Sequence, residues 1–167
     1  MSFLFLTIVF PLCMIYAAIS DIMTMTISNR LCLLLAAAFP FAAYFTGMPS
    51  QEILAHSLFG LTAFAFGFAM FAAGLFGGGD AKLLAATAFW IGPADAIEYF
   101  GFASALGGVM AIAILYARGY IAPVTGYAFA DRLLTKDTGV PYGVALGISG
   151  LYVYAEGPFL EAALRLS

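Results

Sequence analysis

Charge is what this sequence has least of. Only 9 % of its 167 residues are Asp, Glu, Lys or Arg, while 64 % are apolar and the mean hydropathy is +1.04. A water-soluble domain normally carries about 25 % charged residues. This chain has too little polar surface to face water on every side, so it reads as an integral membrane protein. Its six Lys and Arg form no basic run or basic–aromatic stripe, so nucleic acid finds nothing to bind. Cys13 and Cys32 make no Cys-x-x-Cys pair, which excludes a four-cysteine zinc ribbon and offers no disulfide framework. With His56 as the one histidine, a metal site would need carboxylates alone, and no spacing of acids asks for one.

What the chain does have is apolar length. Six segments can be drawn, at about 3–20, 31–47, 54–76, 81–92, 97–117 and 141–157. Crossing about 30 Å of hydrocarbon takes about 17–25 apolar residues. The first, third and fifth segments meet that comfortably, the second and sixth acceptably, and the fourth is short. Breakers separate them: Gly47-Met48-Pro49, Gly77–Gly79, Gly92-Pro93 and Gly139-Val140-Pro141. Asp95 with Glu98 reads as a capping box opening the fifth helix. No strand-like alternation competes, so the expected fold is all-α, a single polytopic domain over 1–167. Residues 1–20 lack a basic residue ahead of the apolar stretch and a clear small-x-small site, so they read as a retained span rather than a cleaved signal.

The basic residues orient these spans. Arg30, Lys82, Arg118, Arg132 and Lys136 fall in odd-numbered connections, and Arg165 alone falls on the other side. The positive-inside rule makes the first face cytoplasmic and puts both termini outside. A fourth segment that dipped in and returned would move three of those residues across and spoil the bias. It is therefore expected to span.

Most acids have ordinary roles: Asp95 and Glu98 as caps, Asp131 and Asp137 solvated in the 118–140 loop, and Glu52, Glu156 and Glu161 in exterior connections or ends. His56, opening the third segment, reads as a packed or interfacial histidine. Asp21 and Asp80 differ. Each is expected at the cytoplasmic edge of a long apolar helix, followed by a short irregular stretch, and Asp80 follows Gly77-Gly78-Gly79. Acids in such places are rare unless paired or used, and consecutive glycines let another backbone come close. The plainer alternative is that Asp21 ends a turn and Asp80 pairs with Lys82. Composition and topology leave both readings open.

Brought together, two carboxylates about 3 Å apart share one proton. The ionised one can deprotonate a water while the neutral one hydrogen-bonds a substrate carbonyl, with no metal, cofactor or covalent intermediate. Ser–His or Cys–His chemistry has no partner on that face, because His56 is expected on the other.

Three stretches carry a resemblance that covers nearly the whole chain. They are Ser20-Asp21-Ile22-Met23-Thr24-Met25-Thr26-Ile27-Ser28-Asn29, then Phe76-Gly77-Gly78-Gly79-Asp80-Ala81-Lys82-Leu83-Leu84, then Val140-Pro141-Tyr142-Gly143-Val144-Ala145. In this order they resemble the type IV prepilin peptidases, the GxGD membrane aspartyl proteases that remove the leader from pilin-like precursors. The resemblance implies catalysis by Asp21 and Asp80, with Gly77, Gly78, Gly79, Lys82, Asn29 and the Pro141-Tyr142-Gly143 turn shaping the site. It implies a single-span prepilin or pseudopilin with a basic leader as partner, a bacterial inner membrane, and pilus or secretion components nearby. The first motif departs from the family's usual Ile-Pro-Asn ending by reading Ile27-Ser28-Asn29, which removes the proline that fixes the backbone there. The chain also lacks the cysteine-paired insertion of bifunctional members. It looks like the short, peptidase-only type of Flp/Tad pili, with no methyltransferase activity expected.

Two other classes use similar residues. A small proton- or ion-coupled transporter also needs acids beside broken helices, though such sites tend toward the bilayer midplane. A non-catalytic assembly subunit would keep Asp80 and Lys82 as an ion pair.

Overall fold

A computed structural model describes residues 2–165. Among these the chain is entirely helical between its turns, with no strand. The helices are α1 (Ser2–Thr24), α2 (Asn29–Thr46), α3 (Ser50–Ala72), α4 (Gly78–Ile91), α5 (Ala96–Tyr120), α6 (Ala128–Leu134), α7 (Tyr142–Glu156) and α8 (Pro158–Arg165). Four are long and apolar enough to cross a membrane: Phe3–Thr24, Asn29–Thr46, Ser50–Ala72 and Ala96–Tyr120.

The segments expected at 81–92 and 141–157 form α4 and α7, of 14 and 15 residues. At about 1.5 Å per residue they rise only about 21–23 Å. Both are central. In α4 nine residues are buried, among them Leu83, Thr87 and Trp90, so beyond Lys82 the helix carries no charge, as suits an interior helix. α4 packs against α2, α3 and α7, and α7 against α1, α4 and α5. The long helices stand outside and turn residues such as Leu33 and Ile112 outward, each about 70 % exposed. On a soluble protein that surface would be a liability; against lipid tails it is the surface expected.

Small residues set the seams. A Cβ on Gly67 of α3 would stand 3.1 Å from the Ala81 carbonyl oxygen of α4, and one on Gly147 of α7 would stand 3.0 Å from that of Met14 in α1. Close backbone approach of this kind is how helices associate where the surrounding lipid is as apolar as they are. Trp90 anchors the interior: its indole donates to the Leu35 carbonyl at 2.8 Å, and its ring lies among Phe10, Phe39, Tyr154 and Phe159.

Several expectations are corrected. Asp95 occupies the N-cap of α5, but at φ −97 and ψ 9 its side chain makes no cap hydrogen bond, so the capping box with Glu98 does not form. The 118–140 loop is not simply solvated: it contains α6, and Asp131 accepts from the amide and hydroxyl of Thr125 at 2.6 and 2.7 Å. Those donors, the hydroxyl first, hold the Asp131 carboxyl below its ordinary range. The tie therefore stands at neutral pH and is lost only on acidification through that lowered range. α8 is an addition, seated by buried Phe159 and Ala163 with an exposed Glu161–Arg165 pair. His56 is packed, as expected. Its Nδ1 donates to the Phe89 carbonyl at 2.9 Å and its ring stacks on Phe39.

Gly92 ends α4 at φ 72 and ψ 178, a region essentially reserved for glycine, and a Cβ there would run into the His56 ring. Gly92→Ala is expected to cost at least about 1–3 kcal/mol. Gly101→Ala, in open space on α5, is expected to leave stability the same or up to about 1 kcal/mol higher. Thermal unfolding in detergent compares the two.

Candidate active site

Asp21 lies inside α1, one turn before its end, rather than just beyond it as the segment 3–20 implied. Only 5 % exposed, its carboxylate is taken up by another element: the backbone N–H of Gly143 donates to Oδ2 at 2.7 Å. Gly143 is in the first turn of α7, whose leading N–H groups have no partner within the helix. An acid at that position also meets the positive end of the helix dipole. Only glycine allows the approach, since a Cβ at 143 would stand 2.8 Å from Asp21 Oδ2 and 2.7 Å from Ile27 Cδ1.

Asp80 is likewise placed differently from the expectation. It belongs to the first turn of α4, where Gly77 is the N-cap, and not to the end of α3, which stops at Ala72. The half-buried Asp80 carboxylate folds back over Gly77, where a Cβ would be 2.7 Å from Oδ2. It is within electrostatic reach of Asp21 and of the Gly143 N–H. The N-termini of α4 and α7 thus meet the last turn of α1.

The glycine run divides its duties. Gly77 lines the open space beside Asp80. Gly79 is pressed against Ile27, where a Cβ would come within 3.3 Å of both backbone and side chain, and Gly78 faces the Phe71 ring at 3.1 Å. Of the three, Gly77 alone borders the cavity. The other two let α4 begin against the α1–α2 turn and α3.

Lys82 does not pair with Asp80. Its Nζ donates to Asn29 Oδ1 at 2.8 Å, joining α4 to the start of α2. In a helix, residues two apart do not face each other, which takes Lys82 away from the acid. Ser28, standing where the family's proline is usual, holds φ −66 and ψ 135 and caps α2 through its Oγ, which accepts from the Arg30 N–H at 3.2 Å. That φ is the one a proline ring imposes, so the turn as it stands would accept proline at 28. Pro141 is fully buried as the N-cap of α7, and the Tyr142 ring fills space that a side chain on Gly107 would occupy.

Asp21 and Asp80 share a cavity of about 990 Å³ with Tyr142, Phe59, Phe66 and Phe100. Its walls are α3 and α5, which rest on α4 and α7 respectively and meet through an edge-on Phe59–Phe100 contact at 6.3 Å. Among the described residues, Asp21 and Asp80 are the only charged ones lining it. Among the described residues no three His, Cys, Asp or Glu side chains converge. Three features went unforeseen: Met25 in the left-handed region at φ 56 beside the cavity, the aromatic slot, and two arginine contacts. Arg132 donates to the Met23 carbonyl at 2.6 Å, and Arg118 holds the chain before α7. A lone arginine after a long apolar helix was the available signal for the latter.

At position 28, Ser→Ala loses the cap and is expected to cost about 0.5–2 kcal/mol. Ser28→Pro loses the same cap but stiffens the unfolded chain at a compatible φ, which recovers about 0.4–1 kcal/mol. Thermal unfolding is expected to rank Pro above Ala.

A family model described as the type IV leader peptidase family matches residues 8–112, a stretch that contains both Asp21 and Asp80 and ends before Pro141. No curated protein and no solved structure matches the chain. The family match spans well over half of the sequence, and the chain belongs to the type IV leader peptidase family.

Proposed function

We propose that this membrane protease of the leader peptidase family cleaves the leader from type IV prepilins or pseudopilins, with Asp21 and Asp80 as a general acid/base pair. The observation that carries the reading is the shared cavity. Two acids 59 positions apart in sequence line it together, and the Gly143 N–H bonds one and lies within reach of the other.

In this mechanism the pair holds one proton. The ionised carboxylate takes a proton from a water lying between the two. The neutral carboxyl donates a hydrogen bond to the scissile carbonyl, and the hydroxide attacks its carbon. Collapse of the tetrahedral intermediate breaks the C–N bond as a carboxyl proton passes to the leaving amine. The base and the acid are not assigned individually, because carboxylates that share a proton act as a pair. The chemistry calls on no cofactor.

The aromatic slot suits an apolar stretch following the scissile bond. A charged side chain there would meet no partner except the acids themselves. The basic leader then stays in water, on the face that carries Arg30, Lys82, Arg118, Arg132 and Lys136. That face is cytoplasmic under the positive-inside rule. The proposal accordingly includes a single domain over 1–167, six crossings counting α4 and α7, both termini outside, and a bacterial inner membrane. The lack of a cysteine-paired insertion suits a short Flp/Tad-type peptidase without methyltransferase activity.

The assembly-subunit reading needs an Asp80–Lys82 pair, and Lys82 is bonded to Asn29 instead. The transporter reading needs acids near the middle of the spans, whereas Asp21 lies in the last turn of α1 and Asp80 in the first turn of α4.

Co-expression with a prepilin, read as a size shift on gels, tests the dyad. Asp21→Asn and Asp80→Asn are each expected to insert normally and lose cleavage by at least about 10²–10⁴-fold. Full cleavage by either variant would sink the pair.

A further inference from the structure

Arg118, near the end of α5, counts in the sequence as a charge on the basic side of the membrane. Its guanidinium is nevertheless committed to fixed partners. Nε donates to the Leu133 carbonyl at 2.8 Å, and Nη2 donates to the carbonyls of Thr138 and Gly139 at 2.8 and 2.9 Å. None of these acceptors is an acid. The one salt bridge among the described residues is Glu161–Arg165, and the loop's Asp131 is occupied by Thr125.

Leu133 lies in the last turn of α6, and Thr138 and Gly139 lie in the stretch that leads into α7. The link from Gly139 to Gly143 is short and stiff: Pro141 is buried with its φ set by its ring, and the Tyr142 N–H bonds the Val140 carbonyl at 2.8 Å. Gly143 then bonds Asp21. At the other end of the loop, Arg132 ties α6 to Met23, two residues past Asp21. The loop is therefore anchored on both sides of the Gly143–Asp21 hydrogen bond.

We propose that Arg118 is a positioning residue, whose guanidinium fixes residues 133–139 and thereby sets the Gly143 N–H against Asp21. The functional side of this inference rests on Asp21 being one of the two working acids; the structural side does not. Arginine is suited to the task because its planar fork delivers separate N–H groups to acceptors on different stretches of chain. Lysine carries the same charge on a single atom and cannot span Leu133 and Gly139 together.

The test compares wild type, Arg118→Lys and Arg118→Ala as full-length protein in lipid nanodiscs. A prepilin reporter with a basic leader before an apolar helix gives the kinetics, and backbone amide exchange gives the structure. Arg118→Lys keeps the count of basic residues and hence the insertion. Because small misplacements at a reacting centre cost up to about 10²-fold, kcat per folded molecule is expected to fall about 10-fold in the Lys variant and about 100-fold in the Ala variant. KM is expected to stay within about 2-fold, the sign of an interaction that matters in the transition state rather than in substrate binding. Amides 139–146 are expected to exchange faster in both variants. Unchanged kcat in both, even with a lowered unfolding temperature, would reduce Arg118 to a structural residue and overturn the proposal. So would faster exchange confined to residues 121–138. If the wild type leaves the reporter uncut, the prepilin reading fails instead, and exchange at 139–146 alone decides whether Arg118 holds the Gly143 amide.

Discussion

The hydrogen bond from Gly143 to Asp21 joins residues 122 apart and ties the last turn of α1 to the first turn of α7. Around it the rest of the site is arranged. A carboxylate buried in an apolar bundle is costly unless something compensates it, and the N-terminus of α7 supplies both a donor and a favourable dipole. That compensation demands glycine at 143, because any Cβ would occupy the space of the bond itself. It also demands that α1 and α7 lie close along their length, which the absence of a side chain at Gly147 permits. Asp80 comes to the same cavity by a separate route, through the glycine start of α4 and its contact with Ile27. Two helices therefore begin where the two acids meet.

The division between long and short helices follows from what each one faces. α1, α2, α3 and α5 meet lipid and must be both long and apolar on their outer sides. α4 and α7 are surrounded by those four and need neither property, so they are short, rich in Ala and Gly, and buried on most sides. Of the groups at the site, Asp80 and the Gly143 N–H are thus carried by inner helices, while Asp21 comes from the inward side of α1. The slot between α3 and α5 is the gap left because each packs on a different inner helix. An apolar approach to the acids is a consequence of that arrangement and needs no separate element.

Asp21 and Asp80 could be picked out in the sequence because an acid next to an apolar helix has few cheap explanations. The glycine run stood out for the same reason. Its duties could not be divided from sequence, since which neighbour each glycine touches depends on α3 and on the α1–α2 turn. The alternative that paired Lys82 with Asp80 rested on proximity in the chain alone. Helical geometry turns residues two apart away from each other, and Asn29 was the nearer acceptor. The arginines 118 and 132 were read as topology charges because their acceptors are backbone carbonyls, which have no sequence signature. The capping box at Asp95 failed for a similar reason: the residues are right, but the backbone entering α5 points the carboxylate elsewhere.

The sequence by itself determined that the chain is helical and built for a membrane, where its helices break, and which two acids are out of place. Those properties follow from composition and local pattern, which act on each segment alone. Tertiary structure decided which helices lie inside, that both acids share one cavity, and that Gly143 reaches Asp21. Each of these depends on groups from separate helices brought together by close packing, and no local pattern carries that information.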